Sequence, residues 1–226
     1  MRTIIIFFMM SVLLFAQNYK VVLVKGEVKF QTGTSEEWYL LNEGKELSAD
    51  NFISTGEKSS VLMKRNENSF SLGELSAMSI GSIKTMSTDE LLLALAMENM
   101  INAPKTNGKN SSNNTATYGE QENGKVKKEG QSNDFGIKRL NGAMQLAKSG
   151  MKESSIVFAK ETYRKYPDSK NIPSYRIFFA NILYEKGLYE EALSEYFEIE
   201  KLELSKEEKT KVESQINSIN KILLNN

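Results

Sequence analysis

Few residues of this chain stand in an arrangement that could carry out a reaction. Ser149 and Lys152 form a Ser-x-x-Lys pattern, which on a continuous helix would place a lysine amine one turn from a nucleophilic hydroxyl. Here Ser149-Gly150 interrupts the helical period, so the pair straddles a turn between helices, and neither of the partner motifs, Ser-Asp-Asn and Lys-Thr-Gly, occurs. The adjacent acids Glu36-Glu37 and Glu190-Glu191 would point about 100° apart on a helix, which suits solvated charge better than a carboxylate pair sharing a substrate. Histidine and cysteine are both absent, which removes the usual general base, the imidazole and thiolate metal ligands, the thiol nucleophile and any disulfide framework. No glycine-rich phosphate loop and no calcium-loop spacing of carboxylates is present. The residues therefore point to no enzyme, with no catalytic residue, no metal site and no cofactor. Two Asn-x-Ser/Thr sequons, at Asn110 and Asn113, fall in so Asn-rich a segment that chance accounts for them.

The 226 residues carry 29 basic and 29 acidic side chains. A formal net charge of zero gives no overall field that would draw nucleic acid or an anionic membrane. The segment 104–134 divides the chain. After Pro104 it holds only Ala116, Tyr118 and Val126 as apolar side chains, too little burial to offset the entropy of ordering it. It reads as a disordered linker with a typical end-to-end distance of about 30 Å, long enough for the parts on either side to move independently.

Met1 to Ala16 begins with one basic residue, Arg2, and runs through mostly apolar residues to a small one. This is the layout of a secretory signal peptide, with cleavage expected between Ala16 and Gln17. The apolar run is short for a bilayer span, which takes about 20 residues, so no membrane span is expected after its removal. The other reading is an uncleaved anchor. Without a cysteine, a lipid-anchored lipoprotein is excluded at this site. The mature protein is expected to be periplasmic or secreted.

Residues 19–83 alternate short β-favouring runs with Gly, Asn, Asp and Ser. Val22, Val24, Gly26, Val28 and Phe30 fall on one face of an extended chain, and further strands are expected over 38–41, 51–55, 60–64, 69–72 and 77–80. Gly56-Glu57-Lys58 reads as a turn, with the glycine supplying tolerance of positive φ. The pattern predicts an all-β module, whether sandwich, barrel or β-roll. Ser87 to Ala103 closes this half as a helix with a capping box, Ser87 and Glu90. Its wide apolar face, Leu91, Leu92, Leu95 and Met100 or Ile101, is expected to pack on the β module, with a partner-helix surface as the second reading.

The order of residues in VKGEVKF (24–30), WYLLNEGKEL (38–47), NFISTGEKSSVLMK (51–64) and SFSLGELSAMSI (69–80) resembles the FecR domain family. Gly26, Val28, Trp38, Leu41, Gly44, Ile53, Thr55, Gly56, Ser60 and Val61 match its pattern. Asp50-Asn51 and Asn66-Glu67-Asn68 depart from the family's Gly-Asp and Asp-Gly steps. The resemblance implies a fold more firmly than an activity. In this family the module occurs in regulators that relay a signal to a sigma factor and in exported proteins. Here it follows the signal peptide within a few residues, so the cytoplasmic arm of the regulators is not expected.

Beyond the linker the period changes to that of a helix. Leu140, Ala143, Met144 and Ala147 recur before Gly150, Phe158, Ala159, Thr162, Tyr163 and Tyr166 lead to Pro167, and a second pair of helices turns at Gly187, 37 residues after Gly150. Residues 135–226 resemble the tetratricopeptide repeat. Gly187, Tyr189 and Ala192 in GLYEEALSEY match its turn, aromatic and alanine, and Gly150 and Pro167 its turn and closing proline. Ser155 and Gly142 depart from the pattern, standing for an alanine and a large apolar residue. The resemblance implies a concave groove lined by the first helix of each pair, here Leu140, Met144, Lys148, Ile177, Asn181 and Tyr184. Ser205 to Leu224 opens on a second capping box, Ser205 and Glu208, and suits a terminal capping helix. Two repeats and a cap fall short of a stable stack, so a homo-oligomer or a partner is expected to complete the burial.

The expected protein is thus multidomain: a signal peptide (1–16), a FecR-like all-β module with its closing helix (17–103), a disordered linker (104–134) and all-α tetratricopeptide-like hairpins (135–226). Its expected role is a non-catalytic binding or assembly adaptor of the cell envelope that holds a protein or peptide partner. A periplasmic sensor that binds a small molecule or glycan is the alternative, and an envelope hydrolase the second.

Overall fold

The structure is a computed structural model that describes residues 18–102 and 133–225. The expected signal peptide with its Ala16/Gln17 junction, most of the expected linker and both sequons lie outside these residues. The described residues form two antiparallel β-sheets followed by six α-helices.

The strands are β1 (Tyr19–Lys25), β2 (Val28–Thr32), β3 (Tyr39–Leu40), β4 (Glu46–Leu47), β5 (Asn51–Thr55), β6 (Ser60–Arg65), β7 (Asn68–Leu72) and β8 (Ala77–Ser79). One sheet has the order β4-β1-β6-β7 and the other β3-β2-β5-β8. Inward residues alternate as a half-buried strand requires: Val61 and Met63 on β6, Phe70 and Leu72 on β7, and Ile53 on β5 are all buried. The single apolar face expected over 22–30 is not formed. Gly26 takes φ +71° and turns the chain, sending β1 to one sheet and β2 to the other, with Val21 and Val28 rather than Val22 and Val24 as the buried residues. A β-carbon on Gly26 would stand 2.4 Å from Ser59 Oγ, the atom that accepts the Glu27 N–H at 2.8 Å, so the turn has no room for a side chain.

In the 56–58 turn the positive φ belongs to Lys58, not to Gly56. Gly56 instead uses its backbone: its N–H donates to the Glu27 carbonyl at 2.9 Å and its carbonyl accepts the Leu75 N–H at 3.1 Å. Next to it, Thr55 Oγ1 donates to the Gly73 carbonyl at 2.6 Å and accepts the Ser76 N–H at 2.9 Å. Thr55 and Gly56 thereby fasten the 73–76 turn that carries the chain from β7 to β8.

The helices are α1 (Thr88–Asn102), α2 (Asn133–Lys148), α3 (Lys152–Lys165), α4 (Pro173–Glu185), α5 (Tyr189–Ile199) and α6 (Lys206–Leu224), with a 3-10 turn at Pro167–Asn171. Helix α2 begins inside the last two residues of the expected linker. Both expected capping boxes are formed, at Ser87 with Glu90 and at Ser205 with Glu208. The α2–α3 and α4–α5 pairs are helical hairpins whose turns have the same hydrogen bonds. Met151 N–H donates to the Leu146 carbonyl and Gly150 N–H to that of Ala147; Leu188 N–H donates to the Leu183 carbonyl and Gly187 N–H to that of Tyr184, all at 3.0 Å. These are Schellman closures with the glycine left-handed, at φ +86° for Gly150 and +75° for Gly187.

The two halves are packed on each other and share one apolar core, which differs from the expectation of independently moving parts. Helix α2 lies against β7 and β8. Its Gln145 accepts the Gly73 N–H through Oε1 at 2.6 Å and donates to Ser76 Oγ through Nε2 at 2.8 Å, while Asn141, one turn earlier, donates to the Leu75 carbonyl at 2.7 Å. Helix α3 adds Ser154, whose hydroxyl donates to the Lys84 carbonyl at 2.6 Å. Around this seam the rings of Trp38, Phe52, Phe135, Phe158 and Tyr166 are in mutual contact. The Arg139 guanidinium stands 4.9 Å from the Phe52 ring centre and 4.4 Å from that of Phe158. Helix α1 has α3 as its principal neighbour, so the expectation that it packs chiefly on the strands is corrected: Leu91 and Leu95 are buried toward the helices.

Candidate functional site

The groove residues expected from sequence do not form one open surface. Leu140 and Ile177 are buried in the core, where α2 carries the β module. Asn181 accepts a hydrogen bond from the Tyr196 hydroxyl at 2.5 Å, and the half-buried Tyr184 ring packs edge-on against Tyr189. Met144 is half-buried and Lys148 exposed. Of the repeat-fold residues, Gly150 and Gly187 occupy equivalent left-handed turns, Pro167 opens the 3-10 turn after α3, and Ala192 is fully buried in α5. Lys152 turns its amine to Glu185 on α4, at 2.6 Å. Among the described residues no group of three or more acidic, His or Cys side chains is placed to hold a metal ion.

A cleft of about 460 Å³ lies elsewhere, between α1, α3, α4 and α5. The helices build it because each hairpin turns one polar stripe away from its apolar seam. Lys160 and Tyr163 come from α3, Arg176 and Leu183 from α4, Glu195 with Glu190 and Glu191 from α5, and Leu95, Glu98 and Asn99 from α1. Glu195 is the electrostatic centre. Its two carboxylate oxygens pair with Lys160 and, at 2.8 Å, with the Arg176 guanidinium. Burial acts to raise its pKa, but the two cations outweigh burial and hold the carboxyl below its ordinary range. Glu98 closes the α1 side through Arg164, at 3.2 Å.

Two buried polar atoms in the walls of this cleft have no hydrogen-bond partner among the described residues: the Tyr163 hydroxyl and Arg176 Nε. Tyr163 is 5% exposed, and burial first and the Glu195 charge second push its phenol pKa far above the ordinary value, so it stays protonated. It is a hydrogen-bond donor, as is Arg176 Nε. The arrangement can hold an oxygen acceptor; it has no paired nucleophile and base.

Beside the cleft, α1 leaves a second face uncovered. Leu93, Met97, Met100 and Ile101 recur at helical spacing and are 55–78% exposed, while Leu91 and Leu95 of the same helix are buried. The sequence pattern places Leu91, Leu92, Leu95 and Met100 or Ile101 on one covered face; Leu91 and Leu95 do face inward, whereas Met100 and Ile101 belong to the exposed face. The cleft residues Lys160, Tyr163, Arg176 and Glu195 were not singled out. One signal could have found them: Arg176 is a lone cation inside the run Tyr175 to Phe179, where an unpaired charge would be costly.

No family model matches the chain, and no curated protein or solved structure is significantly similar to it.

Proposed function

We propose that the chain is a non-catalytic binding and assembly adaptor of the bacterial cell envelope, a FecR-like β module fused to tetratricopeptide-like hairpins, which holds the amphipathic helix of another protein on α1. The observation that carries this reading is the uncovered stripe of Leu93, Met97, Met100 and Ile101 on a helix whose opposite face is already in the core. Such a stripe fits a partner helix laid along it with anchors one or two turns apart. The two methionines suit a partner surface because their flexible side chains adapt to its shape. Helix α1 has no cation, and Asp89 and Glu90 lie in its first turn while Glu98 is taken up by Arg164, so the partner helix is expected to have a basic flank near the start of α1.

The repeat reading is supported by the matching turns at Gly150 and Gly187 and by the buried Ala192. It is also supported by a reason for one departure: Gly142 replaces a large residue where α2 must approach β8. The alternative, a sensor of a small ligand, is favoured by the two unpaired donors in the cleft.

Placing a photo-crosslinking amino acid at Met97 in cells that export the protein tests the adaptor reading, with Asn217 on α6 as the control position. A discrete adduct to a second polypeptide at Met97, absent at Asn217 and lost with Leu93→Glu, is expected. Adducts only to a second copy of this chain, or to no polypeptide, would overturn it.

A further inference from the structure

We propose that the cleft between α1, α3, α4 and α5 binds the carboxylate of a short peptide segment, seated on the Tyr163 hydroxyl and Arg176 Nε. The cleft volume of about 460 Å³ lies within the range of small-ligand sites, roughly 300–1,000 Å³. Its two buried donors have no acceptor among the described residues, and an unmet buried donor persists in a fold at a cost unless something else uses it. Both are donors at neutral pH, so the group that completes them is an oxygen acceptor.

Charge selects a carboxylate among acceptors. Lys160 and Arg176 meet a single carboxylate, Glu195, which leaves that wall one positive charge in excess; Glu198, which also lines the cleft, is paired with Lys201, and Lys170 adds at the rim a cation that has no ion pair among the described residues. The opposite rim is acidic, with Glu190 and Glu191 in the first turn of α5 and, among the described residues, no ion pair on either. A zwitterionic peptide matches this polarity, carboxylate toward α3 and α4 and ammonium toward α5. The carboxylate could belong to a free short peptide or to the C-terminus of a protein. The two sources differ at the amino end. The cleft and the α1 stripe are separate surfaces, so this site and the adaptor reading stand or fall apart.

The test titrates the full chain and its Tyr163→Phe variant with trialanine, its C-terminal amide and its N-acetyl form, following the backbone amide resonances of the cleft residues Lys160, Arg176 and Glu195. Saturable binding of trialanine is expected, weakened about tenfold or more by amidation and about tenfold by Tyr163→Phe, the loss of a hydrogen bond to a charged group. Weakening by N-acetylation assigns the carboxylate to a free peptide, and equal binding assigns it to a protein terminus. Tyr163→Phe keeps the ring in place and removes a hydroxyl without a partner, so the variant is expected to melt at or above the temperature of the parent. No saturable shift up to millimolar trialanine, or equal binding of acid and amide, would overturn the proposal. So would a Tyr163→Phe protein that melts lower yet binds unchanged, since the hydroxyl would then be structural.

Discussion

Gly142 on α2 lies so close to Ala77 on β8 that a β-carbon on it would stand 2.3 Å from the Ala77 carbonyl oxygen. The obstructing atom is backbone, so α2 itself would have to move. Gly142→Ala gains about 1 kcal/mol of helix propensity and meets an overpacking cost of about 1–3 kcal/mol. A lower urea midpoint is expected, together with faster hydrogen exchange of the Gly73 amide, which Gln145 normally covers. Gly150→Ala is the comparison. It has open space around it but a left-handed φ, costs about 1–2 kcal/mol locally, and is expected to leave the Gly73 amide protected.

Arg139 is a buried cation held between rings, with Nε donating to Thr162 Oγ1 at 3.2 Å and Nη2 3.3 Å from Glu161. Burial pulls its pKa down and Glu161 opposes the shift. Arg139→Ala removes its packing on the Phe52, Phe158 and Tyr166 rings, takes the Nε donor from Thr162 and leaves Glu161 with Lys165 as its cation, for an expected loss of about 3 kcal/mol. Arg139→Met keeps the volume and is expected to recover more than half of that. Equal losses in the two variants by chemical denaturation would show that charge, not packing, matters here.

Acid is expected to loosen the helical half at Glu195. In the folded state its carboxyl titrates below the ordinary 4.5 because Lys160 and Arg176 overcome the effect of burial. The unfolded state therefore binds its proton first as pH falls. The contribution of Glu195 is complete above the unfolded pKa and is lost as pH drops through the depressed folded value. Glu153 and Glu161, held down by Lys186 and by Lys165 with Arg139 against the effect of burial, add in the same sense. Stability measured from pH 7 to pH 3 is expected to fall below about pH 4.5. Glu195→Gln should flatten part of that fall.

A protease site inserted between Lys105 and Lys128 offers a direct view of the seam. After cleavage the two fragments are expected to co-elute as one species, because the seam joins them through Gln145, Asn141, Ser154 and the aromatic cluster. Asn141→Ala with Gln145→Ala should separate them. Two independent fragments from the parent protein would show that the seam does not hold them without the covalent link.

The strands and helices could be read from the sequence wherever one local period set the structure. The inward alternation of β6 and the capping boxes at Ser87 and Ser205 are cases of this, as are the turns at Gly150 and Gly187, where adjacent residues supply the whole signal. What could not be read depends on residues far apart in the chain. Val22 and Val24 alternate as a strand would, but a register shift between Val21 and Leu23 against β6 and the turn at Gly26 take them out of line with Val28. Gly142 looks like a defect in a helical pattern until β8 is placed against it. The cleft escapes for the same reason: Tyr163, Arg176 and Glu195 come from three helices, and although Arg176 is out of place in its apolar run, nothing local pairs it with Tyr163 or Glu195.

Trp38 is the only tryptophan in the chain, and its ring packs edge-on against Phe135 of α2, with centres 5.7 Å apart, and against Phe52 of β5 at 6.3 Å. The protein thus carries an optical reporter at the joint between its two halves. The indole emission registers separation of the halves even where each keeps its secondary structure, while far-ultraviolet circular dichroism registers loss of helix alone. Recorded together on unmodified protein, the two signals distinguish a molecule that opens from one that unfolds.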